Sequence, residues 1–215
     1  MKAFLLPLAL LLGSAVPLAL AAELVLGGFS TGNLSGWRDE AFRGKRKTAY
    51  RLVTDHSRTV LEARSSHAAS GLLKRIDVDP ARYPVIRWSW KVEHSLERED
   101  AGRKSGDDYA ARVYLVFPSP LFWRTRALNY VWAAKLPRDS AVRSPYTGNA
   151  VILAVESGNV KAGAWQTEER NIVEDYRRAF GEEPPRIGAV AVMTDTDDTG
   201  DDVTAWYGDI TLAER

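Results

Sequence analysis

Three groups of residues have the types and spacing to do chemistry. The first is Asp107, Asp108 and Arg112. Arg112 interrupts the apolar run Tyr109–Phe117 (YAARVYLVF). A guanidinium inside such a strand needs a carboxylate partner, because an uncompensated buried charge is strongly destabilising. Asp107, Asp108, Glu156 and the acids flanking a helix near residue 171 are the candidates. Such a cluster either binds sugar hydroxyls or a carboxylate in a cleft, or it is an ion pair that pins the sheet. Asn129 and Trp132, on a neighbouring apolar strand, complete the expected ligand-binding set.

The second group is the loop Asp195–Asp202 (DTDDTGDD), with Asp195, Asp197 and Asp198 as candidate metal ligands. Several carboxylates around a Gly-permitted turn suit a hard cation, and calcium is the candidate ion. The loop is not an EF-hand, since the twelfth position from Asp195 is Trp206 rather than Glu. Asp and Asn turn chemistry accounts equally for a solvated hairpin loop. The third group is aromatic: seven Trp and eight Tyr. Trp88 and Trp90 alternate with Arg87, Ser89 and Lys91, which places those two rings in a core. Trp132 and Trp206 fit either a core or a stacking platform.

Other chemistries find little support. Glycoside hydrolysis needs two carboxyls set across a sugar, and no strand carries acids at alternate positions; Asp195 and Asp197 have that spacing only where the chain turns. His56, His67 and His94 lack zinc spacing. No nucleophile elbow or phosphate-binding glycine motif is present. Nucleotide, haem and zinc are therefore not expected. A hydrolase or lyase on an envelope polysaccharide stays open beside a non-enzymatic binding module, as does a structural partner in an envelope assembly.

The elements that must position these groups are mostly strands. Val85–Val92 alternates with period two, putting Ile86, Trp88, Trp90 and Val92 on one face. Strands are also expected over 24–29, 48–53, 59–64, 72–78, 109–117, 128–134, 150–155, 160–166, 187–194 and 203–212. The basic stretch Arg38–Lys47 reads as a solvated loop, and so does the charged Glu93–Asp108. One helix is expected at about 171–180: Asn171 caps it, Glu174 closes a capping box, and Gly181 with Pro184–Pro185 ends it. Strands that do not alternate with helices predict an all-β, mainly antiparallel, jelly-roll-like two-sheet sandwich with one short helix.

Residues 1–21 read as a secretory signal peptide. Lys2 is followed by an apolar run from Phe4 to Leu12 and an Ala19-Leu20-Ala21 cleavage site. Residues 22–215 then form one domain with no transmembrane segment. Loss of Lys2 leaves 28 basic against 28 acidic residues, which gives no electrostatic case for nucleic acid. There is no cysteine, so the core holds the fold without disulfides.

The segments 106–114 (GDDYAARVY), 128–132 (LNYVW), 170–181 (RNIVEDYRRAFG), 193–200 (MTDTDDTG) and 207–210 (YGDI) resemble the bacterial family known as domain of unknown function 3047. That resemblance implies an intact exported domain and no particular activity. The expected partner is a glycan or another envelope component, and the expected location is the periplasm rather than the medium. Oligomeric state is not legible.

Overall fold

The structure is a computed structural model and describes residues 22–214; the expected leader, residues 1–21, lies outside the described residues. Thirteen strands and one α-helix follow in order: β1 (Glu23–Gly27), β2 (Trp37–Ala41), β3 (Ala49–Asp55), β4 (Arg58–Ser66), β5 (Ser70–Val78), β6 (Val85–Val92), β7 (Ala111–Phe117), β8 (Arg126–Ala133), β9 (Ala141–Arg143), β10 (Ala150–Ser157), β11 (Gln166–Asn171), α1 (Ile172–Phe180), β12 (Ile187–Met193) and β13 (Asp202–Ala213). They build two sheets. One runs β11-β6-β13-β4-β3, with β1 pairing the far half of β13; the other runs β2-β5-β12-β7-β8-β10-β9. Every neighbouring pair is antiparallel except β8 with β10.

The sheets stack because their strands alternate. Trp88 lies 5.3 Å from Tyr130 and Trp90 lies 6.0 Å from Trp132, ring centre to ring centre, so β6 of one sheet meets β8 of the other. Leu61, Val113, Leu115, Val190, Tyr207 and Ile210 fill the same core. The expected all-β sandwich is the observed architecture. The long β13 bends where its register against β6 shifts between Tyr207 and Ile210. Gly208 sits in that bulge because a Cβ there would collide with Ser89.

Helix α1 is built as its caps dictate. The Asn171 side chain accepts from the amides of Val173 (3.1 Å) and Glu174 (3.2 Å) and donates to Glu174 Oε1 (2.8 Å). Gly181 closes the helix at φ 74°, the left-handed region that favours glycine. Tyr176 packs on Phe117 at 4.6 Å, docking the helix against the end of β7.

Three local expectations are corrected. Residues 160–166 are not a strand. Turns close there from Ala162 N to Asn159 O and from Ala164 N to Lys161 O, and Gly163 takes φ 78°. The strand is the polar Gln166–Asn171, paired along β6. Trp37–Ala41 is an edge strand rather than loop; four of its five residues are exposed, so it shows no apolar periodicity. Trp132 is fully buried and its Nε1 donates to Gly158 O at 3.0 Å, so it cannot be a stacking surface. Trp132→Ala should cost about 3–5 kcal/mol of stability, read by denaturant unfolding; an unchanged unfolding curve would contradict its place in the core.

Candidate functional site

The site starts from the strand that carried the anomalous charge. Val113, Leu115 and Phe117 of β7 face the core between the sheets, so Arg112 and Tyr114 point to the opposite, outer face. Two loops fold over them: residues 93–110 between β6 and β7, and residues 194–201 between β12 and β13. The Arg112 side chain is 3% exposed. Its Nε donates to Asp195 Oδ1 at 2.8 Å and its Nη2 to Asp195 Oδ2 and to the Asp107 carbonyl. Nη1 donates to Tyr114 Oη (3.1 Å) and sits 3.5 Å from Asp107 Oδ1, while the Tyr109 ring lies 4.4 Å from the guanidinium carbon. Asp107 is thus a partner as expected. The main partner, Asp195, comes from the acidic loop. Asp108 and Glu156 do not pair with Arg112; Glu156 pairs instead with Lys161 (2.7 Å) and Arg138 (3.6 Å).

The acidic loop is held from beneath by buried hydroxyls. Thr48 Oγ1 donates to Thr194 O at 2.7 Å, and Thr196 Oγ1 bonds Ser65 Oγ at 2.9 Å. Asp108 Oδ2 accepts the amides of Asp198 (2.9 Å) and Thr199 (2.6 Å), fixing the loop's turn. Its other oxygen, Oδ1, is buried with no hydrogen-bond partner. One carboxylate oxygen each from Asp108, Asp195 and Asp197 lie within 4.8 Å of one another, so this trio can hold a metal ion. Asp198 turns away: it accepts from the Tyr146 hydroxyl at 2.7 Å and faces Lys45 at 3.6 Å. Lys45 also pairs with Asp197.

Above these residues opens a cavity of about 390 Å³. Asp107, Arg112, Asp195, Asp197 and Asp198 line it, joined by Phe42, Lys45, Tyr114 and Tyr146. Phe42 and Tyr146 are exposed, so the walls are aromatic and the floor is charged. Asp108 and Asn129 are buried and do not line the cavity, and Trp132 faces the core. Asn129 lies opposite Tyr114 in the β7–β8 register, one strand away from Arg112. Phe42, Lys45 and Tyr146 come from loops between β2 and β3 and between β9 and β10. Nothing local in the sequence marks them, because the folding of the loops brings them together.

The family described as protein of unknown function (DUF3047) matches residues 35–211. The chain belongs to that family. The match spans both sheets, both covering loops and every residue of the cavity. No curated protein matches the chain by sequence. Among solved structures, the cellulose induced protein Cip1 is 14% identical with TM-score 0.49, over 88% of this chain and 96% of that one. A mutant of a family 29 carbohydrate binding module is 10% identical with TM-score 0.43, over 90% and 92%. The xylan-binding module CBM15 is 12% identical with TM-score 0.40, over 90% and 97%.

Electrostatics set this face apart. Burial raises the carboxyls of Asp107 and Asp108 above their usual range, against the pull of Arg112 on the first and of the Thr199 amide on the second. Burial also pushes Asp195 up to about 7, with Arg112 opposing and Asp108 adding to the rise. One further acid escaped the reading of residues 93–108 as a charged loop. Glu99 is 1% exposed; its Oε2 accepts the Ala134 amide while Oε1 has no partner. Burial pushes its pKa up to about 7, from 4.5.

A raised native pKa means that the ionised form opposes folding. The folded state then holds the proton that the unfolded state releases, so stability falls as pH rises from about 4.5 to about 7. Glu99→Gln removes that burden. It should stabilise the protein at pH 8 by about 1–3 kcal/mol, with the gain vanishing as pH falls through 7 towards 4.5. Chemical denaturation at the two pH limits measures it, and an equal effect at both would show that Glu99 is not the titrating group.

Proposed function

We propose that the protein is an exported binding module of the bacterial envelope that takes a glycan or cell-wall-derived ligand in the cavity over β7, with calcium at its floor. The observation that carries this reading is the cavity itself. It has the size of a small-ligand site, on the order of 300–1,000 Å³, with apolar walls and a few convergent polar groups. Phe42, Tyr114 and Tyr146 offer ring faces and edges. The aspartates around Arg112 offer hydrogen-bond acceptors of the kind that sugar hydroxyls take up.

Charge and geometry support calcium. Asp107, Asp108, Asp195, Asp197 and Asp198 gather in one place, and the cations in direct contact with them are Arg112 and Lys45. A hard divalent ion would balance that excess, and the unpartnered Asp108 oxygen is a ready ligand. Asp108, Asp195 and Asp197 would hold it. Asp198, expected from spacing as the third ligand, would instead orient Tyr146 at the cavity wall.

A hydrolase or lyase on an envelope polysaccharide is the second reading, favoured by the meeting of Asp107, Asp195 and Arg112 in one cavity. Binding is preferred because Asp195 is engaged at both oxygens, by Arg112 and by the Tyr109 amide (3.1 Å). A general acid must hold a proton free for its substrate, and both oxygens of that carboxyl already accept hydrogen bonds from the protein.

Thermal melting of the purified protein against envelope oligosaccharides, with calcium and with chelator, tests both readings. A ligand at 100 times its Kd should raise the midpoint by roughly 5–10 °C. Asp108→Asn keeps an acceptor for the loop amides but removes a charge, so it should abolish the calcium shift with little change in the calcium-free melt. Tyr146→Ala should weaken oligosaccharide binding about tenfold. Cleavage of a bound oligosaccharide would replace the binding module with the hydrolase or lyase, and the absence of any sugar-dependent shift would end the glycan reading.

A further inference from the structure

Leu121, Phe122 and Trp123 form the tip of the loop joining β7 to β8. They are consecutive and all exposed, Phe122 at 79% and Trp123 at 59%. A run of large apolar side chains left in water gains nothing from the fold, so its place at a loop tip calls for an occupant. The neighbouring cavity does not supply one, since none of the three lines it.

The carbonyls of the tip are already satisfied within the protein. Leu121 O accepts the Arg124 amide at 2.8 Å and Phe122 O accepts the Thr125 amide at 3.1 Å. Trp123 O accepts Asn149 Nδ2 at 2.5 Å, and the Leu121 amide donates to Ser119 Oγ at 3.3 Å. All three carbonyls of the tip therefore have protein partners. Paired carbonyls lower the cost of bringing such a segment to an apolar medium, where an unpaired one costs several kcal/mol. Pro118 and Pro120 stiffen the approach to the tip.

Charge indicates which apolar medium. From Pro118 to Arg126 the sequence holds two arginines and no acid. Arg126 is paired with Glu182. Arg124, directly after the tip, is exposed and has no acidic partner among the described residues. An indole and a phenyl ring followed by a free guanidinium match the boundary between acyl chains and anionic headgroups.

We propose that Leu121–Trp123 is a membrane-surface anchor, with the rings entering the interface of an anionic bilayer and Arg124 resting on its headgroups. It is a peripheral contact. Among the described residues no helix is long and apolar enough to cross a membrane. The proposal does not depend on the cavity or on its ligand.

Co-sedimentation of the purified protein, its N-terminus sequenced, with vesicles of phosphatidylcholine alone or mixed with phosphatidylglycerol tests it. Phe122→Ser with Trp123→Ser should weaken binding to the mixed vesicles by about tenfold or more. Arg124→Gln should weaken it about fivefold, and only where phosphatidylglycerol is present. Because the variants share the wild-type N-terminus, any contribution from residues 1–21 cancels in the comparison. Unaltered melting of the variants separates loss of the anchor from loss of the fold. Equal binding by wild type and the double variant would overturn the proposal. So would a double variant that loses self-association or oligosaccharide binding while wild type ignores both kinds of vesicle.

Discussion

A guanidinium buried in the middle of a sheet is the constraint on which this structure turns. Isolated, the Arg112 charge would be too costly to place between β12 and β8. It is tolerable because Asp195 meets it at two points and because Asp107, Tyr114 and the Tyr109 ring take its other sides. Those partners come from the strand itself, the loop before it and the loop after β12. One side chain therefore ties two long loops down onto the outer face of the seven-stranded sheet. Asp108 then clamps the second loop through two amides, and the cavity is what remains between the loops. Replacing the pair with apolar residues would be neutral or stabilising for many proteins. Here it would also remove the polar floor of the cavity.

The two outer faces of the sandwich are finished differently. On the six-stranded sheet, Lys91 pairs with Asp55 (2.8 Å) and lies near the rings of Trp165 and Trp206, at 5.3 and 4.5 Å. Trp165 Nε1 donates to Asp55 (2.6 Å), and Arg58 stacks on the same ring at 4.0 Å. Trp206 Nε1 donates to Glu62, which also receives Arg51 and Arg64. Cations occupy the indole faces and carboxylates take the indole N–H groups, so that surface is satisfied within itself. The seven-stranded sheet leaves an acidic excess, an unpartnered Asp108 oxygen and open aromatic walls. A ligand has something to gain on that side.

Sequence pattern made the sandwich legible because strands written with period two report their own burial. Ile86, Trp88, Trp90 and Val92 face inward as their spacing demands, and Asn171 and Gly181 bound the helix as their chemistry demands. What escaped was decided by contacts between distant residues. The polar Trp37–Ala41 and Gln166–Asn171 are strands because an edge of β5 and an edge of β6 accept them. Arg112 advertised its need for a carboxylate, yet Asp195 stands 83 positions away and no local rule pairs them. Asp108 joined the candidate metal trio in place of Asp198 for the same reason: an ion selects atoms by position, and positions here are set by the register between β7 and β12. Trp132 was ambiguous because β8 is apolar on both faces, and alternation is silent when both faces are dry.

The loop between β9 and β10 links the cavity to the apolar tip. Ser144, Tyr146 and Thr147 line the cavity, with the Tyr146 hydroxyl on Asp198. Asn149, two residues beyond Thr147, holds the Trp123 carbonyl at the apolar tip. One short loop thus bears on both the cavity wall and the tip, and its ends are fixed by β9 and β10, adjacent antiparallel strands. A molecule resting on lipid through Phe122 and Trp123 would carry the cavity at a height set by this loop, which is bonded to both. If both proposals hold, such a module would sample ligands lying close to the membrane in preference to those free in solution, and the spacing between tip and cavity would become part of its selectivity.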